Sequence, residues 1–170
     1  MNQKRHILIY LLVIVTALSC KNDDDNITLN NPSAIGILES VNTFGGSKHD
    51  SAQEVVSTSD GGYAVLGFTQ SMDGDILDKQ NESFDFWVLK FNAENEIEWN
   101  KTFGGTADDK GSDIIQTTDG GFAILGSSFS NDEDVSGNQG QNDYWLAKLD
   151  ASGNILWQKS YGYQGADYGI

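Results

Sequence analysis

Apolar and polar residues follow one another along this chain in short runs whose period argues for strands rather than helices. Gln53–Thr58 (QEVVST) is short and β-branched, and predicts the first strand. Asp60-Gly61-Gly62 follows; Asp-Gly and Gly-Gly pairs supply the positive φ angles that tight hairpins demand. Tyr63–Thr69 (YAVLGFT) predicts a second strand with Gly67 inside it. A glycine in a strand marks a bulge or the close approach of another backbone. After a polar loop, Gln70–Ser83, the run Phe84–Phe91 puts Trp87, Leu89 and Phe91 on one face and Phe86 and Val88 on the other. A strand apolar on both faces is covered on both faces. A turn over Asn92–Glu96 leads to Ile97–Phe103, where Ile97, Trp99 and Phe103 alternate with Glu98, Asn100 and Thr102. That is the pattern of one half-exposed strand.

The same text then returns. TFGG at Thr43–Gly46 recurs at Thr102–Gly105, DGGYAVLG at Asp60–Gly67 as DGGFAILG at Asp119–Gly126, DFWVLK at Asp85–Lys90 as DYWLAK at Asp143–Lys148, and IEWNK at Ile97–Lys101 as ILWQK at Ile155–Lys159. The offset is 59 at the front (43 to 102) and 58 at the back (87 to 145), so one residue is lost in the intervening loop. A third copy opens at Ser160-Tyr161-Gly162, with Asp167 lying 58 after Asp109. A fixed period of this size signals a repeat architecture.

No stretch after residue 20 has an apolar period of a helix, so the mature chain is expected to be all-β. Four-stranded antiparallel meanders in tandem, each covered by its neighbours, describe the blades of a β-propeller. A β-sandwich accounts for the short strands and not for the period. Leu38–Phe44 (LESVNTF) aligns with Ile97–Phe103, with Ser40 in the place of the tryptophan, and reads as a closing strand for a blade elsewhere. The expected organisation is a closing strand over 37–45, blade one over 50–103, blade two over 109–161 and the start of blade three over 162–170. Two full blades with parts of flanking ones make an incomplete ring, so the sequence reads as the front part of a longer array.

The string GG…D…DGG(Y/F)xxxG…DxWxxK…IxW resembles the tandem propeller-like repeats of roughly sixty residues found in many secreted and surface proteins of Gram-negative bacteria. The resemblance covers about Leu38 to Ile170. It implies a β-propeller in a surface protein that binds or scaffolds. The third copy departs from it, with Tyr163 where Gly46 and Gly105 stand, and the first copy has Asn95 where the second has Gly153.

Charge and the N-terminus place the chain. Twenty-five acidic residues against 10 basic ones give a net charge of −15. Such a balance without a basic patch argues against nucleic acid as a partner. Lys4, Arg5 and the apolar run Ile7–Leu18 form a secretory signal over 1–19, too short for a comfortable membrane span. The one cysteine, Cys20, excludes an internal disulfide. Ala17-Leu18-Ser19-Cys20 resembles a bacterial lipobox, which implies lipidation at Cys20 and a membrane anchor. Lys21-Asn22-Asp23-Asp24-Asp25 resembles a surface-export tag, which implies display on the outer face of the outer membrane. The remaining polar, unpatterned stretch to residue 36 reads as a flexible acidic tether.

Candidate chemistry is sparse. The loops Ser71–Asp78 and Ser130–Gly137 carry Asp73, Asp75, Asp78, Asp132 and Asp134 at near-alternate positions. Such spacing can supply several of the oxygens Ca²⁺ takes, although the distal Glu and the placed Gly of an EF-hand are missing; the plainer reading is a solvated acidic loop. Asp60-Gly61-Gly62 and Asp119-Gly120-Gly121 resemble the Asp-box turn of sialidase-type propellers, without its aromatic, and read as hairpin turns. Asp50, Asp109 and Asp167 recur in every copy, as do Gly67 with Gly126, Trp87 with Trp145 and Trp99 with Trp157. A catalytic residue is needed once, so recurrence argues for turns and blade interfaces. Asp85 with Lys90, and Asp143 with Lys148, are expected to make polar contacts between blades. His49 is the lone histidine of the mature chain, and neither GxSxG nor HExxH is present. The sequence therefore reads as a non-enzymatic, surface-anchored module that binds protein or glycan, or scaffolds, with no cofactor beyond the calcium just weighed. The alternatives are the front of a glycan-active hydrolase, or a remnant without function.

Overall fold

The computed structural model describes residues 41–167. The expected signal peptide, Cys20, the tether and residues 38–40 of the expected closing strand lie outside the described residues, as do 168–170. Apart from Val41, the described residues belong to one compact unit, Asn42–Ile170. Its described residues form eight strands: β1 (Asp50–Ser57), β2 (Tyr63–Thr69), β3 (Asp85–Phe91), β4 (Ile97–Phe103), β5 (Asp109–Gln116), β6 (Phe122–Ser128), β7 (Asp143–Leu149) and β8 (Ile155–Tyr161). They make two four-stranded antiparallel meanders, β1-β2-β3-β4 and β5-β6-β7-β8, with no helix among the described residues.

The described residues are all-β, with four strands to each repeat, as the polarity pattern predicts. The first strand starts at Asp50, three residues before the β-branched run, because Asp50 pairs with Thr69 and Ser51 with Phe68. Residues 41–44, the described part of Leu38–Phe44, are not in a strand. A strand exists only through its partner, and no edge among the described residues pairs with this one.

Local chemistry sets the turns. In the β1–β2 turn Gly61 has φ 88°, and in the β5–β6 turn Gly120 has φ 83°. The hydroxyls of Thr58 and Thr117 donate to Asp60 and Asp119 at 2.5 Å, and the same carboxylates accept Gly62 N–H at 3.0 Å and Gly121 N–H at 3.1 Å. The β3–β4 turn puts Asn95 at φ 64°, and the β7–β8 turn puts Gly153 at φ 74°. Both residues tolerate the left-handed region, so the Asn/Gly difference between copies leaves the turn unchanged.

Each first strand bulges opposite the recurrent glycine. Pairing shifts between Ala52 and Glu54 against β2, and between Gly111 and Asp113 against β6. The bulge drives a carbonyl onto the glycine: a Cβ at Gly67 would lie 1.9 Å from Ser51 O, and one at Gly126 would lie 2.0 Å from Lys110 O. Gly126→Ala is expected to lower stability by about 1–3 kcal/mol, read from a urea melt, because the clash is with backbone and Phe86 Cζ already stands 2.6 Å from the same point.

Alternation gives each sheet two faces. The back of the first carries Ala64, Leu66, Phe86 and Val88; the front of the second carries Phe122, Ile124, Trp145, Ala147 and Leu149. These two faces share one core in which every one of those side chains is fully buried. Phe86 meets Trp145 edge-on at 5.0 Å, and Trp99 meets Phe122 at 5.7 Å. Gly111 makes this approach possible, since a Cβ there would come within 2.7 Å of Leu66 Cδ1. The front of the first sheet forms a second cluster, Trp87, Leu89 and Phe91 with Ile76 from the β2–β3 loop. The back of the second sheet, Ala123, Leu125, Tyr144 and Leu146, is half-buried.

Candidate functional site

The polar chemistry gathers at one end of the sheets, where β1 and β5 begin and where β2 and β6 end. Here the glycine turn ahead of each first strand is held by three carboxylates. In the first repeat Asp50 Oδ2 accepts Gly46 N–H at 2.7 Å, Asp73 Oδ1 accepts Ser47 N–H at 2.7 Å and Asp75 Oδ2 accepts Gly45 N–H at 2.8 Å. In the second, Asp109 Oδ2 accepts Gly105 N–H at 2.8 Å, Asp132 Oδ1 accepts Thr106 N–H at 2.9 Å and Asp134 Oδ2 accepts Gly104 N–H at 3.4 Å. Asp167 opens the same arrangement in the third copy by accepting Tyr163 N–H at 3.1 Å. The glycines pack too closely for a side chain: a Cβ on Gly46 would lie 2.5 Å from Asp73 O, and one on Gly105 would lie 2.2 Å from Asp132 Oδ1.

The recurrent aspartates also tie the ends of the second strands. Thr69 Oγ1 donates to Asp50 at 2.5 Å and Ser71 Oγ at 3.0 Å. Ser128 Oγ donates to Asp109, and Ser130 Oγ does so at 2.7 Å. Asp109 is fully buried, and its backbone N–H reaches across the repeat boundary to Phe84 O at 2.5 Å.

The candidate calcium carboxylates are therefore oriented toward backbone donors. Asp73, Asp75, Asp132 and Asp134 each hold a turn N–H, while Asp78 turns toward β4 and accepts Thr102 N–H at 3.0 Å and Thr102 Oγ1 at 2.9 Å. The Ser47 N–H holds Asp73 below the usual carboxylate range, and the Thr106 hydroxyl and N–H do the same for Asp132. Among the described residues no group of three or more His, Cys, Asp or Glu is placed to hold a metal ion.

Between the repeats, at this same end, lies a polar cleft of about 270 Å³ lined by Asp78, Lys79, Gln80, Asn81, Asp85, Thr102, Gly104, Glu133 and Asp134. Lys79 is buried there and bonds Asn81 O at 2.8 Å, Asn81 Oδ1 at 2.9 Å and Asp85 Oδ2 at 3.1 Å. Asp85 faces Asp109 across Gly104: a Cβ on that glycine would lie 2.9 Å from Asp85 Oδ1 and 2.7 Å from Asp109 Oδ2. Burial pushes the Asp85 carboxyl up to about 7, against the pull of Lys79 and with the Asp109 charge adding to it. Burial raises Asp109 and Asp134 as well.

A carboxyl raised in the fold loses its proton earlier when unfolded. Between pH 3.8, the ordinary value, and about 7 the folded state holds more protons at Asp85, so its share of stability is full below this window and is lost as pH rises through it. A melt against pH is expected to decline across the window, and Asp85→Asn to flatten the decline. An unchanged slope in the variant would show that Asp85 is not the group responsible.

The lysines of DFWVLK and DYWLAK do not bridge repeats. Lys90 Nζ bonds Asp60 at 2.8 Å and Glu98 at 2.6 Å, and Lys148 Nζ bonds Asp119 at 3.0 Å. Each closes its own repeat's first turn, because Lys90 and Asp85 stand on opposite faces of β3 and point apart. Burial alone would lower the Lys90 ammonium, but its bonds to Asp60 and Glu98 raise it. The Lys148 contact and the Thr117 hydroxyl hold Asp119 down to about 2, with the hydroxyl the larger cause.

Trp87 and Trp145 are buried, and their indole N–H groups donate to Asn100 Oδ1 at 2.6 Å and Gln158 Oε1 at 2.8 Å. Trp99 lies over Gly153 and donates to Ala151 O of the other repeat at 3.0 Å, whereas Trp157 is 49% exposed. His49 stands edge-on to Phe68 and Phe84, and Lys110 sits over the Phe84 ring at 4.2 Å. A second cleft of about 280 Å³ opens on the front of the first sheet, among Phe44, Tyr63, Val65, Trp87, Leu89 and Phe91.

Sequence reading missed Lys79 and the raised carboxyl beside it. The available signal was a difference between copies: no lysine or arginine stands between Lys110 and Lys148. A scan against protein-family models and a search of curated proteins both find no match to this chain.

Proposed function

We propose that this chain is a lipoprotein whose repeats are blades of a β-propeller, anchored at Cys20 in the outer membrane, facing the cell exterior, and acting as a binding or scaffold module without catalysis. The observation that carries the reading is the contact between the two sheets. The back of one repeat covers the front of the next through an apolar core, and equivalent residues recur in equivalent places. A further repeat can seat on Tyr63, Val65, Trp87, Leu89 and Phe91 as the first seats on Phe122, Ile124, Trp145, Ala147 and Leu149. Stacking of this kind is how propellers and other arrays bury their faces. A non-catalytic role is supported by the recurring carboxylates, which are engaged with turns and strand ends in each copy.

Fold alone does not name the ligand, and the acidic, exposed loops make a protein or glycan the fitting class of partner. Metabolic labelling with palmitate and protease shaving of whole cells test the placement. Label on the wild type, none on Cys20→Ala, and cleavage by external protease are expected. Label retained on the variant, or a chain shielded from protease until cells are lysed, would overturn the anchor or the display.

A further inference from the structure

The two copies treat one buried carboxylate differently. Asp143 is 1% exposed; its Oδ2 accepts Gln139 N–H at 2.8 Å, and its Oδ1 is buried with no hydrogen-bond partner. A point built as a Cβ on Gly162 lies 2.1 Å from Asp143 Oδ1 and 2.7 Å from Asp167 Oδ2, so the two oxygens are within about 5 Å of each other. This pair is the counterpart of Asp85 and Asp109 around Gly104. In the first copy the pair has an ammonium: Lys79 Nζ stands 3.1 Å from Asp85 Oδ2, and Ser83 Oγ donates to Oδ1 at 3.2 Å.

Both donors belong to the carboxylate's own repeat, six and two residues ahead of it. In the second copy those places are held by Gly137 and Gln141, and Gln141 is exposed. Nothing in the segment from Val135 to Asn142 is basic. The bare oxygen is thus a property of this repeat's sequence. A buried carboxylate without a counter-charge is costly, and a second one nearby raises the cost.

We infer that the second repeat holds a small monovalent cation from solution between Asp143 and Asp167, in the role that Lys79 plays in the first. A single ammonium serves the first pair, and two carboxylates without a third acidic ligand do not make the cage of six to eight oxygens that calcium takes. Sodium, potassium and ammonium ions share the required chemistry, a compact single positive charge that oxygens can surround, as ligands of the metal ions or as acceptors of the ammonium N–H groups.

Thermal melts of the purified protein in sodium, potassium or ammonium chloride, each matched in ionic strength to tetramethylammonium chloride, test this. The bulky ion screens equally and is too large to sit between the carboxylates. The small ions are expected to raise the melting temperature saturably, by about 2–5 °C over the bulky one. Asp143→Asn should abolish the difference, and Asp85→Asn should keep it. Line broadening of ²³Na on addition of protein, relieved by potassium, gives a reading independent of stability should Asp143→Asn fail to fold. Equal melting in all four salts would overturn the inference. So would a difference that survives in Asp143→Asn, or a response to calcium at micromolar concentration that sodium cannot compete.

Discussion

Trp145→Ala is expected to lower stability by about 3–5 kcal/mol, and Trp157→Ala by less than about 1 kcal/mol, in urea denaturation followed by far-ultraviolet circular dichroism. The two tryptophans belong to adjacent strands of one sheet and differ in what covers them. Trp145 is fully buried, meets Phe86 of the other repeat at 5.0 Å and donates to Gln158. Its removal opens a cavity in the core shared by both sheets and leaves the Gln158 oxygen without its donor. Neighbouring strands cannot close on that space, because Gly126 already has Lys110 O against it. Trp157 is 49% exposed on the opposite face, and truncating it leaves no void. Equal losses in the two variants would show that the sheets do not share the core described here.

Asp109→Ala comes next, at about 3–5 kcal/mol, against about 1–2 kcal/mol for Asp50→Ala. Asp109 collects the hydroxyls of Ser128 and Ser130 and the N–H of Gly105, all buried. Alanine strands these donors where water cannot replace the acceptor. Asp109 also sits at the boundary between repeats, so its loss loosens the turn that sets one sheet against the other. Asp50 makes the equivalent bonds, but its Gly46 contact is exposed and water can substitute for the lost oxygen. Asp109→Asn should recover part of the loss, since the amide keeps one acceptor. If the alanine variants melt alike, burial is not what separates the two sites.

The strands were legible because each carries its own evidence. Alternation, the Asp-Gly-Gly turns and the in-strand glycines are local signals, and they placed the meander to within a few residues. The repeat added what a single copy cannot, marking Asp50, Asp109 and Asp167 as positions with a shared role. The loops were less legible. Asp73 and Asp75 look alike whether they face a cation or a peptide N–H, and the choice depends on the Gly45-Gly46-Ser47 turn, some thirty residues away. Lys90 and Lys148 were expected to make contacts between blades and instead bond acids of their own repeat, for the same reason. A side chain's face is set by strand register, and Asp85, five residues ahead of Lys90 on the same strand, stands on the other side.

By itself the sequence determined the all-β class, the four-strand unit and its period, because these follow from side-chain alternation and from backbone conformations that few residues adopt. Tertiary structure alone decided which faces are covered, which carboxylates are buried and which charges meet. Trp145 and Trp157 read alike in the repeat, yet only packing makes one a core residue and the other a surface one. Asp85 and Asp143 read alike too, until the fold shows Lys79 beside the first and no donor on the free oxygen of the second. Burial and pairing are properties of surroundings drawn from distant parts of the chain. They change the energy of a charge by far more than any local propensity does.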